Sequence, residues 1–226
     1  MPEPVTKLDL VKRLAREAGE HASGPTSTLL QRGNNLKLVD DIDTAYSEIQ
    51  TYQTTWRFHR KSFSKVLTID KADYTAAELD ITDLRNWDPK KVNLFKLLND
   101  EAPLTHIPLD IWESTYGMGS STIETGRPSS FTIQADNSIT LFPIPNYEFT
   151  LRGKYRSRPH QMVDDLDEPI FALEYRMAIV WKALENFGVK AGEPGCISFG
   201  RQEYAKVLRM LEKQYLPRMR YGRPLA

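Results

Sequence analysis

The side chains able to do chemistry are few in this chain, and they lie far apart. His21, His59, His106, His160 and Cys196 show neither C-x-x-C nor H-x-x-x-H spacing, so a zinc site would need ligands converging from distant segments. No GxxxxGK[ST] or GxGxxG phosphate loop is present. "GMGSST", residues 117–122, lacks the lysine and reads as a loop. No GxSxG nucleophile motif occurs. His59, between Phe58 and Arg60, reads as a partly exposed packing residue rather than a base. Asp164, Asp165, Asp167 and Glu168 form the acidic cluster. Carboxylates so close together could ligate a divalent cation or supply a glycosidase pair. The competing reading places them just ahead of a helix whose dipole they complement, and their position favours it. The expectation is a protein that is not an enzyme and carries no metal or cofactor.

The cations carry a clearer pattern. Tyr147, Phe149, Leu151 and Tyr155 alternate with Glu148, Thr150, Arg152, Lys154, Arg156 and Arg158, the period of a strand with one packed and one exposed face. Like charges in such a row repel, and persist more easily opposite something acidic. That could be nucleic acid read through its phosphates, or a neighbouring subunit. Alternatively they guard an exposed strand against edge-to-edge pairing. A second concentration lies in residues 206–226, where six cations accompany one acid, Glu212. The chain as a whole has 30 basic and 30 acidic residues, so the rest is net acidic. A basic end on an acidic body suggests an arm that docks on an acidic surface, or else a solvated terminal helix.

The elements that must position these residues follow from periodicity. A length of 226 residues suits one domain, or one with an inserted subdomain, and needs no cross-link to fold. A single cysteine fits a reducing compartment, no apolar run is long enough for a membrane span, and "MPEPVTKLDL" lacks signal-peptide form. The expectation is folding in cytoplasm. Thr6, with Asp9 three residues on, caps a first helix. Asn35 caps a second, carrying Leu36, Val39, Ile42, Tyr46 and Ile49 on one face. Trp56 and Phe58 read as core anchors. Residues 63–69 suggest a strand, 91–98 a strand or a short helix, and 109–116 a short helix behind Pro108. Residues 126–159, "GRPSSFTIQADNSITLFPIPNYEFTLRGKYRSRP", read as a compact three-stranded meander with a tight turn at Asp136 and Asn137. Asp167 and Pro169 then open a third long helix ending at Gly188 or Gly192, and Ser198 caps a fourth that Pro217 halts.

That meander resembles the head-to-tail adaptor (connector) proteins of tailed bacteriophages. So do "DLVKRLAREAG" at 9–19, "WRFHRKSF" at 56–63 and "AIVWKALENFG" at 178–188, in the same order. The fold class read from the chain is α+β: a helical bundle of two N-terminal and two C-terminal helices, with an inserted antiparallel β region and an extended C-terminal arm. The boundaries fall at 1–60, 61–160, 161–216 and 217–226. The resemblance implies a structural virion protein of the neck or tail, made in the host cytoplasm. It implies a ring of neighbouring copies, usually a dodecamer, beneath the portal protein, with tail or nozzle proteins below. Genomic DNA would pass through the channel without sequence specificity, and no membrane would be involved. It implies that Leu216, Pro217, Arg218, Met219, Arg220, Tyr221, Arg223, Pro224 and Leu225 grip the portal. Arg152, Lys154, Arg156 and Arg158 are the expected subunit-interface residues. The alternatives are another phage neck or tail structural protein, and a nucleic-acid-binding protein using the basic strand and tail.

Overall fold

The computed structural model describes residues 5–20, 24–96, 100–116 and 124–217. In chain order these form α1 (Lys7–Glu17), α2 (Asn34–Tyr52), β1 (Arg60–Val66), β2 (Asp73–Tyr74), β3 (Leu84–Phe95), β4 (Glu101–Pro103), β5 (Thr105–His106), α3 (Leu109–Tyr116), β6 (Thr125–Gly126), β7 (Ser130–Ile133), β8 (Ile139–Phe142), β9 (Ile144–Pro145), β10 (Thr150–Ser157), α4 (Met177–Ala191) and α5 (Pro194–Tyr215). The fold is α+β, and the chain divides into two units. One is helical, built from residues before His59 and after Arg158; the other is β-rich and spans His59–Arg158.

In the helical unit α1, α2, α4 and α5 pack around Leu10, Leu14, Ile42, Tyr46, Ile49, Trp56, Phe171, Ile179 and Leu184. The capping box at Thr6 and Asp9 forms as the sequence indicates: each side chain accepts the other's backbone N–H, both at 3.3 Å. The Trp56 indole donates to the Ile49 carbonyl at 2.9 Å, so its one polar atom is satisfied inside the core. Helices α4 and α5 approach closely because Gly200 lacks a side chain. A Cβ there would lie 2.8 Å from the backbone of Trp181 and Glu185.

Three helix starts differ from the sequence reading. The start of α2 is Asn34, behind Gly33 at φ 60°, with no side-chain cap from Asn35. Asp167 and Pro169 do not open α4, which begins at Met177. The backbone donors of this stretch are taken elsewhere: Ile170 N–H bonds the Tyr46 hydroxyl at 2.9 Å, and Ala172 N–H the Tyr215 hydroxyl at 3.2 Å. Ala172 lies at ψ 151°, outside helical geometry, so a ladder opened at Asp167 cannot run through it. The last helix starts at Pro194 rather than after Ser198, with proline in the first turn, where its missing N–H costs nothing. Gly192, in left-handed geometry at φ 72°, closes α4.

The β-rich unit is two-layered. One sheet has the order β1-β10-β3-β4, all antiparallel; the other has β2-β8-β7-β5, in which β5 and β7 run parallel. A small parallel pair joins β6 to β9. Phe63, Trp87, Leu94, Leu151 and Tyr155 from the first sheet share a core with Tyr74, Phe131, Ile139 and Leu141 from the second. The turn at Asp136 and Asn137 closes the β7–β8 hairpin. Asn137 has φ 65°, and the Asp136 carboxylate accepts from Ser138 N at 2.9 Å and Ser138 Oγ at 2.7 Å. The expected meander is not one sheet, however. After β8 the proline stretch pairs with β6, and β10 then inserts between β1 and β3 in the opposite layer. The segment at 91–98 contributes the end of β3, and the short helix at 109–116 is α3. Gly153 sits mid-strand in β10 because the Phe63 ring occupies its side-chain space: a Cβ would meet Phe63 Cε1 at 2.6 Å.

Candidate functional site

Among the described residues no group of three or more His, Cys, Asp or Glu is placed to hold a metal ion. His21 and the 117–122 loop lie outside the described residues. The other histidines are engaged locally. His59 is buried, not partly exposed, and its Nδ1 lies 3.2 Å from Ser157 Oγ. His106 packs against the Phe131 ring, and burial holds its imidazole below the usual range. His160 Nδ1 lies 3.0 Å from the Tyr46 hydroxyl, while the Gln50 amide brackets the His160 backbone, donating at 2.9 Å and accepting at 2.8 Å. Burial pushes the Tyr46 phenol up to about 12.

The acidic cluster is structural, at a different helix from the one expected. The carbonyls of Asp165 and Asp167 accept Leu8 N–H at 3.1 Å and Lys7 N–H at 2.8 Å, capping α1 rather than α4. The Asp165 carboxylate takes Thr28 N–H at 2.6 Å and Thr28 Oγ at 2.5 Å. The Asp167 carboxylate takes Val163 N–H at 2.7 Å and Asp164 N–H at 2.9 Å. These bonds hold both carboxyls below their ordinary range. Glu168 pairs with Arg176 at 2.8 Å.

The outer face of the first sheet is what remains open. Alternation along β10 buries Leu151, Gly153 and Tyr155 and leaves Arg152 and Lys154 exposed, with Arg156 half-buried on the same side. The register with β1 sets Ser64 beside Arg152, Ser62 beside Lys154 and Arg60 beside Arg156; on the other flank Asn93 faces Arg152. A shallow basin of about 410 Å³ opens here, lined by Ser62, Ser64, Lys91, Phe95, Arg152 and Lys154 among others. The Arg152 guanidinium lies 4.5 Å over the Phe95 ring and its Nε donates to Ser64 Oγ at 3.3 Å. Glu101, also at the basin, accepts from the Asn93 amide. Among the described residues the carboxylates salt-bridged in this unit are Glu78, Asp80, Asp83, Asp88 and Asp100, and none of them reaches Lys91, Arg152 or Lys154.

Arg158 differs from the other three cations. It lies one residue past β10, with its backbone N–H on the Asp83 carbonyl at 2.7 Å and its Nε on the Leu84 carbonyl at 3.0 Å. Leu216 caps α5 and packs on the helical core, and Pro217 follows it. Arg218, Met219, Arg220, Tyr221, Arg223, Pro224 and Leu225 lie outside the described residues.

Periodicity left one buried acid unnoticed. Asp41 is fully buried, with Oδ1 2.5 Å from Lys190 and Oδ2 without a hydrogen-bond partner. Burial pushes its carboxyl up against the opposing pull of Lys190. The signal was available: Asp41 falls on the stripe formed by Leu38, Ile42 and Ala45.

The family model for SU10 adaptor protein matches residues 5–224. The chain belongs to that family. No curated protein matches it. The family is one of phage head-to-tail adaptors, in agreement with the resemblance carried by the four motifs, so this adaptor is a structural protein of phage particles. The motifs occupy different places in it. Trp56 and Phe58 stack in the helical core with ring centroids 5.4 Å apart, while His59 and Phe63 belong to the β-rich unit. Arg127 of the Gly-Arg-Pro motif grips both Asp100 carboxylate oxygens, at 2.8 and 3.0 Å. No described helix is long and apolar enough to cross a membrane.

Proposed function

We propose that this adaptor forms a ring, a dodecamer, in the phage neck. It lies beneath the portal protein and above tail or nozzle proteins, and genomic DNA passes through its channel without sequence specificity. Its role is assembly rather than catalysis. The family match across residues 5–224 carries the reading. The segment from Leu216 to Leu225 grips the portal, its cations Arg218, Arg220 and Arg223 suiting an acidic partner surface. Arg152, Lys154 and Arg156 serve lateral contacts with the neighbouring copy, and Arg158 braces the end of their strand. Among the described residues Arg152 and Lys154 of the open sheet face form no salt bridge, whereas Arg60, Lys61, Lys65 and Arg127 of the same unit are paired, which supports that assignment.

Negative-stain electron microscopy of the protein mixed with the portal ring of its own phage tests this, with a control lacking residues 217–226. Added density beneath the portal, lost on truncation, is the expected result. A portal left bare by the full chain at micromolar concentration overturns the reading. Duplex-DNA binding that falls steeply with salt, together with a bare portal, would favour the nucleic-acid alternative.

A further inference from the structure

The two outer layers of the β-rich unit carry opposite charge. On one, the basin of the first sheet gathers Lys91, Arg152 and Lys154 around Ser62, Ser64 and Phe95. The other is dressed by α3. Ile139 and Leu141 of β8 face the shared core, so Phe142 faces away from it by alternation. Two rings of α3 pack on Phe142: Tyr116 at 4.3 Å and Trp112 at 6.3 Å between centroids. With Trp112 and Tyr116 turned to the sheet, the opposite side of α3 exposes Asp110, Ile111, Glu113 and Ser114. Residues 105–116 hold the acids Asp110 and Glu113 and no lysine or arginine.

Resting on the ring reading, we propose that α3 of one copy docks on the cationic basin of the next. The Asp110 and Glu113 carboxylates meet Lys91, Arg152 and Lys154, and the Ser62 and Ser64 hydroxyls donate to the remaining carboxylate oxygens. Ile111, 55% exposed, lies against the Phe95 ring and covers its apolar edge. The basin and α3 lie on opposite layers, so the contact is head-to-tail. Each copy offers a basin at one side and an acidic helix at the other, the requirement for a heterologous assembly that closes into a ring. A second copy fits better than nucleic acid because the complementary acidic surface is present on the same unit.

Two charge-reversed full-length chains test this by sedimentation velocity, alone and on the portal ring. One carries Arg152→Glu with Lys154→Glu, the other Asp110→Lys with Glu113→Lys. Each alone is expected to associate at least tenfold more weakly than wild type. Mixed in equal amounts they should recover assembly, since both kinds of contact in an alternating ring then join opposite charges. A folding defect would not be repaired by mixing. Wild-type assembly that either variant retains, or that mixing does not restore, overturns the docking while leaving the ring reading intact. Loss of duplex-DNA binding in the first variant with normal assembly in both assigns the basin to nucleic acid instead. Wild-type protein that stays monomeric alone and adds nothing to the portal removes the ring reading, and this contact with it.

Discussion

In the helical unit Lys7, Asp41 and Arg176 are 5, 0 and 7% exposed; in the β-rich unit none of the described Lys, Arg, Asp or Glu residues is buried. The buried charges hold chain segments together. Lys7 reaches Asp43 at 2.8 Å and the Met162 carbonyl at 2.9 Å, and Arg176 binds Glu168, the Phe171 carbonyl and the Val5 carbonyl. The Arg152 side chain reaches only the adjacent strand, at Ser64, and Arg152 and Lys154 form no salt bridge among the described residues. They stand on a face whose backbone is already paired on both sides of β10, so they add little to the fold. Charge inside the helical unit is therefore structural, whereas charge outside the β-rich unit is available to a partner.

An uncharged deletion sets the scale for that contrast. Trp56→Ala removes a buried indole and its hydrogen bond to Ile49, and should lower unfolding free energy by about 3–5 kcal/mol in urea denaturation. Arg176→Ala should cost about 2–3 kcal/mol, because the Val5 and Phe171 carbonyls lose a charged donor while Glu168, more than half exposed, can turn to water. A loss below 0.5 kcal/mol would break the claim that buried charge is structural here.

Asp41 is the exception among the buried charges, because one of its oxygens has no hydrogen-bond partner, and Asp41→Asn should stabilise the protein. Burial raises the folded-state pKa of Asp41, so the folded chain binds its proton more tightly than the unfolded chain does. The wild-type deficit is full above the folded pKa and vanishes below the ordinary aspartate range. The asparagine variant should gain about 1 kcal/mol at pH 7, a gain that shrinks as the pH falls toward 4. Denaturation at the two pH values checks it, and a gain that grows on acidification would reverse the sign. The smallest effect belongs to the sheet: Arg152→Glu with Lys154→Glu should leave stability within about 0.5 kcal/mol of wild type, while weakening assembly as above. A loss above 2 kcal/mol would make those cations structural too and erase the difference between the units.

The sequence by itself determined what local chemistry fixes. The Thr6–Asp9 capping box, the α2 stripe at Val39, Ile42, Tyr46 and Ile49, the Asp136–Asn137 turn and the packed face of β10 at Leu151 and Tyr155 all depend on neighbours a few residues away and appear as read, whereas Leu36 and Tyr147 are exposed. The order of motifs along the chain was enough for the family. Tertiary structure decided the rest, because it depends on which distant group reaches a backbone donor or fills a layer. The hydroxyls of Tyr46 and Tyr215 hold the Ile170 and Ala172 N–H groups, and the backbone is extended at Ala172, so α4 starts later than read. The acidic loop caps α1 because its carbonyls, more than 150 residues away in the chain, meet the free donors of the first turn. The three strands of residues 126–159 look alike in period. Only core packing sends β10 to the opposite layer from β7 and β8, since Leu151 and Tyr155 fill the core from the far side and Gly153 leaves room for Phe63. That choice of layer turned a row of cations into an open face.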